Sequence, residues 1–229
     1  MTMKELKRKI RDLLSEKLSK YGFRRKKDWD IIRIVDNNIV QIISPSLSSH
    51  NEKHTIYIGI IVGVIYKNID EVAVKLGDQS RLKYYSPMVG TPIGNLFPEK
   101  EYIEWRFTLN DSDEQIERNI DEMVDITVQY ALPYLLKISE IDFFIEKMFK
   151  VNRQFYLPII YYLYGRKEQA LAYIDNVIKE LSSRPVIDEE TKRIMELHGI
   201  EPGVTIDNRE LDAYMPFVDN FRKLVNESD

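Results

Sequence analysis

None of the 229 residues is cysteine. That absence excludes disulfides, thiolate zinc sites, iron–sulfur clusters and cysteine nucleophiles together. Histidine is scarce as well, with three in the chain, so few side chains titrate near neutrality. No apolar run reaches the roughly 18–20 residues that a membrane helix needs. The longest, Ile56 to Tyr66, reads as a strand. No Ser–His–Asp signature, Walker loop or dinucleotide fingerprint is present. The start is charged from Lys4 to Lys9 and carries no apolar signal segment. The expectation is a cytoplasmic protein with no membrane partner, no cofactor and no metal.

What is there suffices for a core. Hydrophobic residues make up 44% and charged residues 31%, a balance that excludes disorder. The length fits one large domain or a domain with an appendage. Charge is unevenly spread. Residues 1–33 hold 12 Lys/Arg against 5 Asp/Glu, an excess of +7, while residues 101–229 hold 15 against 26, an excess of −11. Such an asymmetry steers partners and does not set the fold.

Hydrophobic periodicity predicts the elements. Leu6, Ile10, Leu13, Leu14, Leu18 and Tyr21 recur at helical spacing, with Gly22 where a C-terminal cap belongs. Strands follow over Trp29 to Val35 and Ile39 to Ile43, joined by the turn Asp36-Asn37-Asn38. Ser44 to Lys53 reads as a polar loop broken by Pro45. In Thr55 to Tyr66, Ile56, Ile58, Ile60, Val62 and Val64 share one face. Tyr57, Gly59, Ile61 and Gly63 share the other, so something packs close to that second face. A short helix over Ile69 to Leu76, loop over 77–100 and a strand over Tyr102 to Leu109 come next. Ser112 and Gln115 make a capping box for a long helix, which Pro133 kinks or ends. Ser139 with Asp142 opens the next helix, and helices over 152–164, 170–181, 188–198 and 208–225 complete the chain. Strands followed by helices give α+β: an N-terminal helix, a mostly antiparallel sheet and a long helix, then an all-helical C-terminal part. The boundary falls near residue 138, with a domain over 1–138 and a helical region over 139–229 packed on it.

Residues 1–140 resemble a bacterial family catalogued as domain of unknown function 4304. The likeness rests on Leu14 to Phe23, Val40-Gln41-Ile42-Ile43, His54 to Ile60, the strand around Trp105-Arg106-Phe107 and the helix Ile116 to Leu136. The resemblance implies a fold and carries over no catalytic residue. Separately, Tyr161 to Leu171 looks like the turn of a helical-repeat hairpin, present in a single copy.

Five places could carry chemistry. His50 and His54 flank an acid, but the order H-x-E-x-H in a loop is not the metalloprotease order on a helix. Gly90 to Asn95 could cradle a phosphate, yet it lacks a Lys-Ser/Thr ending, and Pro92 removes a donor. Arg24-Arg25-Lys26-Lys27 lies between Phe23 and Trp29 and suits nucleic-acid phosphates, while the pI of about 5.6 argues against that role. Tyr102, Glu104, Arg106 and Thr108 share one strand face and form the candidate cleft. Tyrosines cluster at 156, 161, 162, 164 and 173. Of these, Tyr161 and Tyr164 are candidate partner anchors, with Glu168 and Asp175 as steering charges.

These residues favour a non-catalytic protein-interaction module with a basic partner, of which an immunity-type protein covering a basic toxin is one form. The alternatives are an enzyme with a polar cleft on the sheet face and a weak nucleic-acid binder acting through the basic N-terminal segment.

Overall fold

Helix α1, Met3–Ser19, is closed at both ends by its own residues. Thr2 Oγ1 accepts from Glu5 N at 3.3 Å, and Thr2 N donates to Glu5 Oε2 at 2.7 Å, which satisfies two orphan donors reciprocally. At the other end Gly22 takes φ +81° and Phe23 N donates back to Leu18 O, a left-handed cap that favours glycine. In between, Leu6, Ile10, Leu14 and Leu18 are fully buried. The computed structural model that shows this describes residues 1–26, 29–78, 87–183, 189–200 and 209–227.

The architecture is α+β. Strands β1 (Arg24–Arg25), β2 (Ile31–Ile34), β3 (Ile39–Ser48), β4 (Thr55–Tyr66), β5 (Val89–Pro92) and β6 (Trp105–Thr108) form one antiparallel sheet. Its order is β1-β2-β3-β4, and β5 and β6 both pair with β4. β6 takes residues 55–58 of β4 and β5 takes residues 61–64. On one face Gln41, Val62, Val64 and Phe107 are buried. Helix α4 (Leu132–Ile138) crosses this face: Gln41 Nε2 donates to Leu135 O at 3.0 Å, and Tyr66 Oη donates to Ile138 O at 3.2 Å.

Several stretches depart from expectation for local reasons. β3 runs through Pro45 to Ser48 where a loop is predicted. β2 pairs only as far as Ile43, so Pro45 sits where one edge of β3 has no ladder partner and a missing N–H is tolerated. Residues 87–100 hold β5 and a turn of 3₁₀-helix, Ile93–Leu96, instead of plain loop; residues 79–86 of that predicted loop lie outside the described residues. Helix α2 is Lys67–Lys75, and α3, Asp113–Ile126, begins at the predicted Ser112–Gln115 capping box. Pro133 does not end the long helix. A π-helical turn over Thr127–Ala131 precedes it and leads into α4, and that wider turn makes room where the proline ring would crowd a carbonyl. Ser139 does not cap the next helix, α5 (Ile141–Lys147): its hydroxyl donates to Leu135 O at 2.7 Å and so closes α4.

The chain divides into two units, Met1–Asn68 with Tyr84–Phe149, and Ile69–Lys83 with Lys150–Asp229. The boundary predicted at 138 therefore comes early. α5 belongs to the sheet unit, where Phe144 is fully buried and its ring lies 4.6 Å from that of Tyr66. The second unit contains most of α2, together with α6 (Lys150–Leu163), α7 (Lys167–Ser182), α8 (Glu189–Leu197) and α9 (Arg209–Asn226). Gly165, at φ +71°, turns α6 into α7. Tyr214, Phe217 and Phe221 of α9 supply its aromatic core. Among the described residues no helix is long and apolar enough to cross a membrane.

Candidate functional site

The second face of the sheet changes character along its length. Directly opposed residues share a face. The register Ile32↔Ile42 and Val40↔Ile65 puts an apolar cluster at one end. The register Ser44↔Ile61, Ser46↔Gly59 and Ser48↔Tyr57, continued by Tyr57↔Arg106, puts small and polar residues at the other. Over that polar end stands the β3–β4 loop. His50, Asn51 and His54 all adopt left-handed backbone, at φ 45°, 63° and 60°. Non-glycine residues in this region store strain and concentrate at functional sites.

The loop brings down two side chains. His50 Nε2 lies 2.7 Å from Glu104 Oε2, and the His50 ring meets Tyr57 edge-on with centroids 4.6 Å apart. Tyr57 Oη donates to Glu52 Oε1 at 2.7 Å. Arg106 closes the group through Nε to Tyr57 Oη at 3.2 Å and Nη2 to Glu52 Oε2 at 3.3 Å. Beside it the edge of β4 is bare, because β5 stops opposite Ile61 and β6 starts opposite Ile58. A groove of about 340 Å³ opens there, with Gly59 in its floor and Glu104, Tyr102 and Gly94 in its walls. Gly59 keeps it open: a Cβ there would meet Glu104 Cγ at 3.7 Å. Gly94 lets the wall close in, since a Cβ at that position would collide with the Glu101 carbonyl.

The electrostatics favour permanent charge. Burial pushes the Glu104 carboxyl up, but hydrogen bonds from Tyr102 and His50 outweigh it and hold the carboxyl below the usual range. The Tyr57 hydroxyl, with help from Arg106, lowers Glu52 in the same direction, and Glu52 in turn raises the Tyr57 phenol. Tyr102 is raised by its bond to Glu104.

Of the four residues predicted as a cleft, Tyr102 and Glu104 line the groove and Arg106 joins the adjoining cluster. Thr108 turns away from the groove, with its hydroxyl donating to Asp111 Oδ1 at 2.7 Å. Sequence reading missed His50, Glu52, Tyr57 and Gly59 as members. The only signal for the two loop residues was the rejected metal motif, and the register of β4 against β6 joins them to Glu104. Gly90 to Asn95 is spent on β5 and the 3₁₀ turn. Arg24 and Arg25 form β1, Arg25 Nη1 pairs with Asp12 at 2.6 Å, and Lys27 lies outside the described residues. In the second unit Tyr164 and Glu168 are exposed. Tyr161 is half-buried with its ring edge-on to Tyr173, and Asp175 is paired with Arg222 at 2.7 Å. The chain, compared with family models, curated proteins and solved structures, matches none of them.

Proposed function

We propose that the chain is a non-catalytic protein-interaction module that receives a basic side chain of its partner in the groove beside Glu104. The carrying observation is the placement of Glu104, whose side chain is 13% exposed, with Oε2 2.7 Å from His50 Nε2 and Oε1 above the Gly59 floor. A long cationic side chain fits such a slot, its methylenes against Ile61 and Pro92 and its head on the carboxylate. Acid–base catalysis wants a carboxyl raised toward neutrality. Here both carboxyls of the group are lowered. The acidic excess of residues 101–229 supports the same partner by speeding its approach. An immunity-type role against a basic toxin is one form of this reading and rests on charge alone. Kinship of residues 1–140 with the domain of unknown function 4304 family stands beside it as a proposal and adds no site residue.

The test is capture of partners from the native host with three folded baits: wild type, Tyr102→Ala/Glu104→Gln and Tyr161→Ala/Tyr164→Ala. A partner kept by wild type and the helical variant but lost by the groove variant supports the groove. Loss only in the helical variant would move the interface to α6–α7, and equal recovery by all three sinks both. The strained loop favours a second reading, an enzyme in which Glu104 orients His50. A substrate turned over by wild type and not by His50→Ala, with partner capture intact, would put that reading first.

A further inference from the structure

The cations of α1 fall into two sets. Lys9 and Lys17 lie toward α3 and are matched there, Lys9 by Asp113 at 2.5 Å and Lys17 by Asp121. Lys4, Lys7, Arg8 and Arg11 recur at three- and four-residue intervals, so they form a stripe over about two turns. With partly exposed Trp29 they line a groove of about 670 Å³. Lys4, Lys7 and Arg8 have no ion pair among the described residues, although Glu5 lies within reach of the Arg8 charge. Glu5 is itself occupied by the Thr2 cap. Asp12 serves two guanidiniums, Arg11 at 3.3 Å and Arg25 at 2.6 Å. Positive charge is therefore left over on this flank.

We propose that this groove binds single-stranded nucleic acid, with phosphates along the stripe and a base stacked on the Trp29 indole. A cationic track with an aromatic platform is how unpaired strands are held without sequence preference. A concave wall with a ring in it calls for an unstacked base, which a duplex does not offer. An anionic membrane suits the site less well. A helix that lies in a bilayer surface inserts its apolar face, and the apolar face of α1 (Leu6, Ile10, Leu14 and Leu18) is fully buried within its own unit. The acidic pI is an average over the chain and does not describe this flank. The acidic remainder repels the strand elsewhere and confines it to the groove, at the cost of affinity. This inference is independent of the groove beside Glu104.

Tryptophan fluorescence reads the site directly, because Trp105, the second tryptophan of the chain, is 4% exposed. Oligo(dT) titrated into the full chain at low salt should quench the emission saturably. Four phosphate contacts give a slope of log K against log salt of about −2.8. Lys7→Gln/Arg8→Gln should remove two contacts and flatten the slope by about 1.4. Lys4→Gln/Arg11→Gln repeats the test should the first pair fail to fold. With a labelled strand followed by anisotropy, Trp29→Ala should weaken binding about 5- to 150-fold, the loss of one stacked base, and Trp29→Phe should restore most of it. Lys9→Gln/Lys17→Gln should leave binding unchanged. Absence of quenching at low salt, or a slope indifferent to the stripe variants, overturns the proposal. So does binding to phosphatidylserine vesicles with none to oligo(dT).

Discussion

Glycine positions on β4 do two opposite jobs. A Cβ at Gly59 would make only ordinary contact with Glu104, whereas one at Gly63 would run into the Val89 carbonyl and the Pro87 ring. Gly59→Ala should keep the melting temperature of wild type while narrowing the groove. Gly63→Ala should cost about 1–3 kcal/mol, as overpacking does. Equal melting curves for the two variants would mean that β5 does not press on β4. Glu104 carries a pH signature. Its folded value lies below the usual carboxyl range, so its stabilisation is complete above that range and is lost as pH falls through the lowered value. The stability difference between wild type and Glu104→Gln should therefore shrink on acidification, as read by denaturant unfolding across pH. A difference that stays constant down to strongly acidic pH would contradict an ionised Glu104.

Elements whose cause is local were readable from one sequence. The capping box at Ser112, the glycine caps at Gly22 and Gly165 and the alternation on β4 each need only neighbours in the chain. Burial of Leu14 is of the same kind, and Leu14→Ala should cost about 2–5 kcal/mol in chemical denaturation. What escaped has a distant cause. Pro45 is permitted in β3 by where β2 stops, and β5 is short and owes its existence to the edge of β4. Gln41 shows the same distance effect. It is fully buried, accepts from Arg33 Nε at 2.7 Å and donates to Leu135 O and Ser139 Oγ at 3.0 Å. Nothing around it in the sequence marks it as a pin between sheet and helix. Gln41→Leu leaves the Arg33 Nε donor without its acceptor and should cost about 1–3 kcal/mol. A neutral substitution would mean that the pin is dispensable. The groove beside Glu104 divides likewise: the strand face that carries Arg106 was legible from alternation, and the loop residues that complete it were not.

At the scale of the whole molecule, the two units are interleaved in sequence. Most of α2 belongs with α6 to α9, where Ile69, Val72 and Ala73 are buried and Tyr156 Oη donates to Asp78 at 2.7 Å. A fragment ending at residue 149 keeps α2 and loses its companions. It should bind a hydrophobic dye that the full chain excludes, and adding a 150–229 fragment should suppress the signal. A fragment as dye-silent as the full chain would mean that α2 is covered without them.

The same interleaving bears on synthesis. Residue 83 leaves the ribosome some 67 residues before α6 begins, an interval of roughly 3 to 13 s at ordinary elongation rates. The nascent sheet unit can acquire its last helices during that time, while α2 has nothing yet of its own unit to fold onto. A chaperone or a slow codon run would act on this protein within that window.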